Sequence, residues 1–317
     1  MPARRRRRRR GSAPPSPWFF AAVGIAVLGV IAASLAIYRW EKGKLAKLAY
    51  LQRVINITIP EGFNRYDIAE RLEHYGVCPA QDFLAASQDP QVLAQLDVLG
   101  DSLEGYLFPE TYQFLKRSHP SVVAKKMVDT WKLRVPPVFA AHAARLAELK
   151  AAYGWDAHHV LILASIVEKE ASKPEERPVI AGVFLNRMRS ATFTPKLLQA
   201  DPTITYGCRH APNVAPSCLE FTGKLGRTQR MDRTNPYNTY FVEGLPPGPI
   251  SNPGIPAITS VLEPTVHDYF YFVAKGDGNH YFSRTFSEHR RAIARFLKAA
   301  PPTQARQQDP NHQPSNP

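Results

Sequence analysis

Seven consecutive uncharged residues, Leu161 to Val167, run directly into Glu168-Lys-Glu. They cover the whole circumference of two helical turns, so a helix here is buried on every side and Glu168 emerges at the edge of a core. The chain must therefore pack other elements all round this segment. On a 3.6-residue period Glu168 shares its face with Leu161, Ala164 and Ser165, whereas Glu170 lies about 200° away beside Ile166 and Val167. Two carboxylates so placed do not form one acid–base pair. Ala164 and Ser165 are small and leave room beneath Glu168, and desolvation raises a carboxyl there towards the range of a general acid near neutral pH. The ordinary alternative is a last helical turn that reaches solvent, and structural carboxylates outnumber catalytic ones.

The N-terminus constrains the chain next. Arg4 to Arg10 form an unbroken basic run, a short Gly/Pro/Ser stretch follows, and Trp18 to Tyr38 carry no charge. At ~1.5 Å per residue that uncharged stretch spans about 30 Å, the thickness of a hydrocarbon core. Trp18 and Tyr38 suit the two interfaces, and the arginines stay cytoplasmic under the positive-inside rule. A cleaved signal peptide is the rival, but the apolar run continues past the small residues Ala32, Ala33 and Ser34. The expectation is one uncleaved helix in the inner membrane, with everything after Arg39 on the extracytoplasmic side.

The leading arginines supply more than half of the net charge of +13. The remaining basic residues are scattered, without a stripe of interleaved aromatics, which argues against a nucleic-acid partner. Three cysteines are too few for a disulfide scaffold. Cys208 and Cys218 could pair across a short loop in an oxidising compartment, leaving Cys78 over. His158 and His159 are adjacent and point apart on a helix, Cys208 with His210 is a weak signal, and no metal site or cofactor is expected.

Residues 1–17 read as a basic cytoplasmic tail, 18–38 as the membrane helix and 39–53 as a juxtamembrane linker. Val54 to Ile59 alternate like a strand, Asn64 caps a helix from Arg65 to His74, a short helix follows over Pro79 to Ser87, and a second strand lies near Thr111 to Phe114. That order gives a small βααβ module of the LysM-like kind over 54–116, a shape associated with glycan binding; a plain α+β spacer has the same order of elements. A larger α+β domain over 117–299 is expected to contain helices at about 120–134 and 137–150, the apolar helix capped by Asp156, and a helix from about Glu175 to Arg189 ending in Asn186-Arg187. Asp201 and Pro202 start a short helix stopped by Gly207. The Pro/Gly-rich loop from Gly244 to Gly254 precedes a hairpin, Tyr269 to Ala274 with His280 to Arg284. Thr285 and Glu288 form a capping box for the last helix. Residues 300–317 are Pro-, Gln- and Asn-rich and read as disordered.

Several motifs occur in order: Leu103-Glu-Gly-Tyr-Leu-Phe-Pro-Glu-Thr-Tyr, Ala164-Ser-Ile-Val-Glu-Lys-Glu, Val183-Phe-Leu-Asn-Arg, Leu198-Gln-Ala-Asp-Pro-Thr, Tyr237-Asn-Thr-Tyr, Gly244-Leu-Pro-Pro-Gly-Pro-Ile and Tyr271-Phe-Val-Ala. Over about residues 50–298 the chain resembles the YceG-like endolytic murein transglycosylases. The resemblance implies a cytoplasmic tail, one anchor, a LysM-like module and a catalytic domain that cuts nascent peptidoglycan glycan strands inside the chain. It places the catalytic glutamate on the first Glu of Val-Glu-Lys-Glu, Glu168. A protonated Glu168 would donate to the glycosidic oxygen, and its carboxylate would then take the proton of the muramoyl 6-hydroxyl as a 1,6-anhydro ring closes. Asn186, Gln199, Asp201, Tyr206 and Asn238 offer groups suited to sugar hydroxyls and acetamides. The stretch from about 207 to 230 departs from the family pattern and reads as an inserted loop. The implied partners are glycan strands, the membrane and, alongside, peptidoglycan synthases. Two other readings stand beside this one. One is a membrane-tethered scaffold without activity; the other is a two-carboxylate hydrolase drawing its second acid from Glu104, Glu110 or Asp201.

Overall fold

The computed structural model describes residues 17–51 and 53–297, with side chains of the first helix at 18, 24, 26 and 28–45. That helix, α1 (Pro17–Leu51), covers the uncharged run and continues past Arg39 to Leu51, so most of the expected linker is helical. Leu28, Val30, Ile31, Leu35 and Ile37 on it are exposed. Among the described residues no helix is long and apolar enough to cross a membrane. The expected membrane helix over 18–38 is to that extent unsupported, and part of it, at 19–23, 25 and 27, has undescribed side chains. The expected basic tail, Pro17 apart, and the expected disordered tail at 300–317 lie outside the described residues.

The chain divides into two compact units, one before and one from Asn56. From there the elements run β1 (Val54–Thr58), α2 (Arg65–His74), α3 (Ala80–Ala86), α4 (Pro90–Gln95) and β2 (Thr111–Leu115). The two strands pair in a small sheet. The Asn64 side chain accepts from the Tyr66 and Asp67 amides, both at 3.0 Å, and Asp67 returns a bond to the Asn64 amide, the box that starts α2. Three helices, not two, lie between the strands, and nothing in the structure marks the segment as a separate LysM-like module. It belongs to the same compact unit as the larger α+β region after it.

The chain goes on through α5 (Pro120–Arg134), α6 (Pro136–Ala141), α7 (Ala143–Tyr153), α8 (Ala157–Glu170), α9 (Arg177–Arg189), α10 (Asp201–His210), α11 (Arg227–Met231), α12 (Ile255–Leu262), β3 (Tyr271–Ala274), β4 (His280–Ser283) and α13 (Phe286–Phe296). The expected helix at 137–150 is two helices, broken at His142, whose Nδ1 bonds back to the Val138 carbonyl at 2.7 Å. The hairpin is antiparallel, with Tyr271 opposite Ser283 and Ala274 opposite His280.

The apolar helix is α8. Asp156 caps it, accepting from the His159 amide at 3.1 Å, and every residue from Val160 to Val167 is buried. Helices α9, α10 and α12 pack against it. Helix α10 begins at Asp201, with Ala200 in the cap position, and runs past Gly207 to His210. A Cβ at position 207 would lie 2.1 Å from Asn235 Oδ1, so the glycine there admits a close neighbour and does not end the helix. Cys208 and Cys218 are disulfide-bonded, and Cys78 is buried and free.

Candidate active site

The last turn of α8 sends its two glutamates into different surroundings. Glu168 Oε1 accepts from Arg177 Nη2 at 2.5 Å, and Oε2 accepts from the Gly254 amide at 3.1 Å. Arg177 also donates to Glu61 Oε2 at 3.2 Å. The space expected beneath Glu168, beside Ala164 and Ser165, is filled by the Pro/Gly-rich loop. The Ile250 amide donates to Ser165 Oγ at 3.0 Å, and Ser251 Oγ donates to the Ser165 carbonyl at 3.1 Å. Glycine at 254 lets Glu61 lie against the loop, because a Cβ there would lie 1.8 Å from Glu61 Oε1 and displace that side chain. Burial pushes the Glu168 carboxyl above its ordinary value, with the Arg177 guanidinium and the Gly254 amide pulling the other way. The Glu168 side chain is 4% exposed, and both its oxygens are committed to protein partners.

Glu170, on the opposite side of the helix, faces a groove of about 490 Å³ lined among others by Arg187, Gln199, Asp201, Tyr240 and Tyr271. Among the described residues its carboxylate has no hydrogen bond or ion pair. Burial raises its pKa to about 7; Asp201 adds to the rise and Arg187 opposes it. A carboxyl half-protonated at neutral pH in a polar groove is what a general acid requires.

The walls of the groove are tied together by hydrogen bonds. Arg187 donates through Nε to the Phe270 carbonyl at 2.7 Å and through Nη1 to the Leu198 carbonyl, which ties α9 to the hairpin approach and to the segment before α10. Burial lowers its pKa to about 10. Asp201 accepts from Tyr240 Oη at 2.9 Å and from Arg230 Nε and Nη2 at 3.2 and 2.8 Å. Gln199 holds a left-handed backbone, φ 54°, with its amide on the Thr239 carbonyl at 3.0 Å. A non-glycine residue in that region is strained, a feature that clusters at functional sites. Asp201 also borders a second groove of about 400 Å³ with Lys169, Tyr206 and Arg209.

Of the residues singled out from sequence, Gln199 and Asp201 join Glu170 at this groove. Tyr206 is 3% exposed and forms part of the adjoining wall. Asn186 and Asn238 do not line this groove and are hydrogen-bonded to neighbouring segments. Asn186 Nδ2 donates to the His267 and Tyr269 carbonyls, both at 2.9 Å. Asn238 Nδ2 donates to the Asp232 carbonyl at 2.8 Å, and its Oδ1 accepts from the Tyr240 amide at 3.1 Å. In both, the side-chain nitrogen is thus held by backbone carbonyls of the protein itself. Glu104 is buried against the Arg65 amide (3.0 Å) and Asn252 Nδ2 (2.8 Å), and Glu110 bonds Arg134 at the surface at 3.5 Å. Sequence reasoning gives no site role to Glu170, Arg187, Tyr240 or His289. The first three sit inside the quoted motifs, and His289 inside the last helix. Among the described residues no group of three or more metal-ligating side chains comes together.

These features define a mixed α+β protein whose buried central helix delivers one acid to a polar groove. The sequence matches the YceG-like family over residues 36–295, and the chain belongs to that family. A crystal structure of a yceG-like protein from Listeria monocytogenes is similar, at 31% identity and a TM-score of 0.60 over 74% of each chain. The endolytic murein transglycosylase of Bacillus subtilis is 29% identical across 77% of this chain and 65% of its own length. The protein of the same name from Streptococcus pneumoniae serotype 2 is 29% identical across 77% of this chain and 45% of its own length. The chain thus spans between about half and two thirds of the curated relatives it matches.

Proposed function

We propose that this protein is a peptidoglycan lytic transglycosylase and that Glu170, not Glu168, is its proton donor. The observation that carries the reading is the unpartnered Glu170 carboxyl in the groove, with its pKa raised to about 7. The names of the relatives supply the substrate class. Protonated Glu170 donates to the oxygen between N-acetylmuramic acid and N-acetylglucosamine as positive charge builds on the muramoyl ring. The resulting carboxylate takes the proton of the 6-hydroxyl, whose oxygen closes on the anomeric carbon. One bond breaks, one forms, and Glu170 ends protonated as it began, so no water and no second acid are consumed. Asp201, fixed by Arg230 and Tyr240, presents a negative group to the developing cation.

The presence of Asp201 in the same groove favours one second reading, a two-carboxylate hydrolase. Product mass separates the two on uncrosslinked glycan strands. Anhydro ends, one water lighter than reducing ends, are expected; reducing ends alone would replace ring closure by hydrolysis, and no cleavage would leave a non-catalytic scaffold.

We further propose that the first helix anchors the protein in the cytoplasmic membrane, with the groove on the far side. The uncharged run from Trp18 to Tyr38, the arginines before it and the exposed apolar side chains of α1 support this.

A further inference from the structure

Along α13 and its C-cap residue, Phe286, His289, Ile293 and Leu297 recur at spacings of three and four, and all four line the Glu170 groove. His289 is the polar member of an otherwise apolar stripe. Its ring stacks on Tyr271, with centroids 5.2 Å apart and planes 22° from parallel. Nδ1 is sealed from solvent and has no hydrogen-bond partner. Nε2 is neither sealed nor bonded within the described residues, so it is the open end of a side chain on the groove wall. A packing position would be filled more cheaply by an apolar ring, since an orphaned buried nitrogen is costly. Burial, and then the nearby Arg187 guanidinium, hold the imidazole below its ordinary pKa, so the ring is neutral at pH 7. A sealed lone pair near a cation is less costly than a sealed N–H with no acceptor. The single proton is therefore assigned to Nε2.

We infer that His289 is a substrate-binding residue of this groove, its Nε2–H donating a hydrogen bond to an oxygen of the bound sugar, a hydroxyl or an acetamido carbonyl of an N-acetylated pyranose. The inference rests on the proposed glycan substrate and adds a contact from α13 in the groove that Gln199, Asp201 and Tyr240 also line. It also explains the stack: Tyr271 fixes the ring plane so that the donor is held ready before the sugar arrives.

Binding of uncrosslinked glycan strands is measured with Glu170→Gln protein, which holds strands without cutting them. Adding His289→Phe keeps the ring and the stack but removes both nitrogens, and is expected to weaken binding about tenfold; His289→Gln, which keeps a donor, recovers most of it. Unchanged binding by the Phe variant, or equal losses in the Phe and Gln variants, overturns the inference. A measurement without substitution at 289 covers the case in which a variant misfolds. In histidine-labelled Glu170→Gln protein the Nε2 resonance of His289 shifts when strands are added, and no shift overturns the inference. Cleavage by the unsubstituted protein is scored separately. No cleavage with His289-dependent binding removes the lyase reading alone, and cleavage with His289-independent binding removes this inference alone.

Discussion

Two glutamates separated by one lysine differ in almost everything that matters to chemistry. Glu168 is neutralised by Arg177 and the Gly254 amide, whereas Glu170 has burial without a partner. The chemical step needs the protonated acid, so kcat/KM on glycan strands is expected to be level at acid pH and to fall as pH rises through about 7. A pH–rate profile checks this. Glu104 carries a second consequence. Its folded pKa, also raised to about 7 by burial, exceeds the unfolded value of about 4.3. The folded state therefore holds the extra proton between these values, and stability present at acid pH is lost as pH rises through 7, by at most about 4 kcal/mol. Glu170, raised to a similar value, adds a slope of the same sign, so chemical denaturation across pH 4–8 is expected to show both and Glu104→Gln to remove about half. Helical periodicity is enough to put Glu168 and Glu170 on opposite faces. It cannot say which face is sealed, because the sealing pieces, Arg177, Glu61 and Gly254, are far apart in sequence.

Elements with strong local signals are legible in the sequence: the capped starts of α2, α8 and α13, the hairpin, and the buried α8. Those decided by tertiary neighbours are not. Gly207 reads as a stop until Asn235 is seen against it, and the break at His142 has no local Pro or Gly. The stretch from about 207 to 230 reads as an insertion and proves to be tied back. The disulfide anchors its start, Ser217 donates its amide to Asp232 at 3.1 Å, and Gln229 donates to the Ser217 carbonyl at 2.8 Å. These ties carry Arg230 to Asp201. Replacing Cys208 and Cys218 by serine is expected to cost about 2–3 kcal/mol, from the entropy of the closed loop, and to lower Tm. Because Arg230 then loses its fixed position, kcat/KM is expected to fall several-fold in protein that is still folded. Thermal melting and strand cleavage measure the two effects.

For the whole molecule, the surprise is that the segment expected to form a separate glycan-binding module is fastened to the Pro/Gly-rich loop beside Glu168. Asn252, in the Pro/Gly-rich loop, takes the Leu107 amide at 2.9 Å, donates its own amide to the Phe63 carbonyl at 2.9 Å and reaches Glu104. Residues 60–64 and 104–107 thereby brace the loop that holds Glu168. A buried hub of this kind is unforgiving: Asn252→Ala leaves the Leu107 amide unpaired and takes one hydrogen bond each from Glu104 and the Phe63 carbonyl, and a loss of about 2 kcal/mol or more is expected in denaturation. The proposed topology is tested by a reporter active only outside the cytoplasm, fused after Ala300. Activity is expected, and an inactive fusion would reverse the orientation read from the arginines.

The central claim is that the acid in the groove, not the acid in the ion pair, performs the cleavage. Glu170→Gln and Glu168→Gln are compared on uncrosslinked glycan strands, with melting recorded for each. The expected result is that Glu170→Gln melts normally and cuts nothing, while Glu168→Gln, with its buried pair broken at a cost of about 3–5 kcal/mol, melts lower yet still cuts. Cleavage by folded Glu170→Gln, together with none by folded Glu168→Gln, would contradict the account.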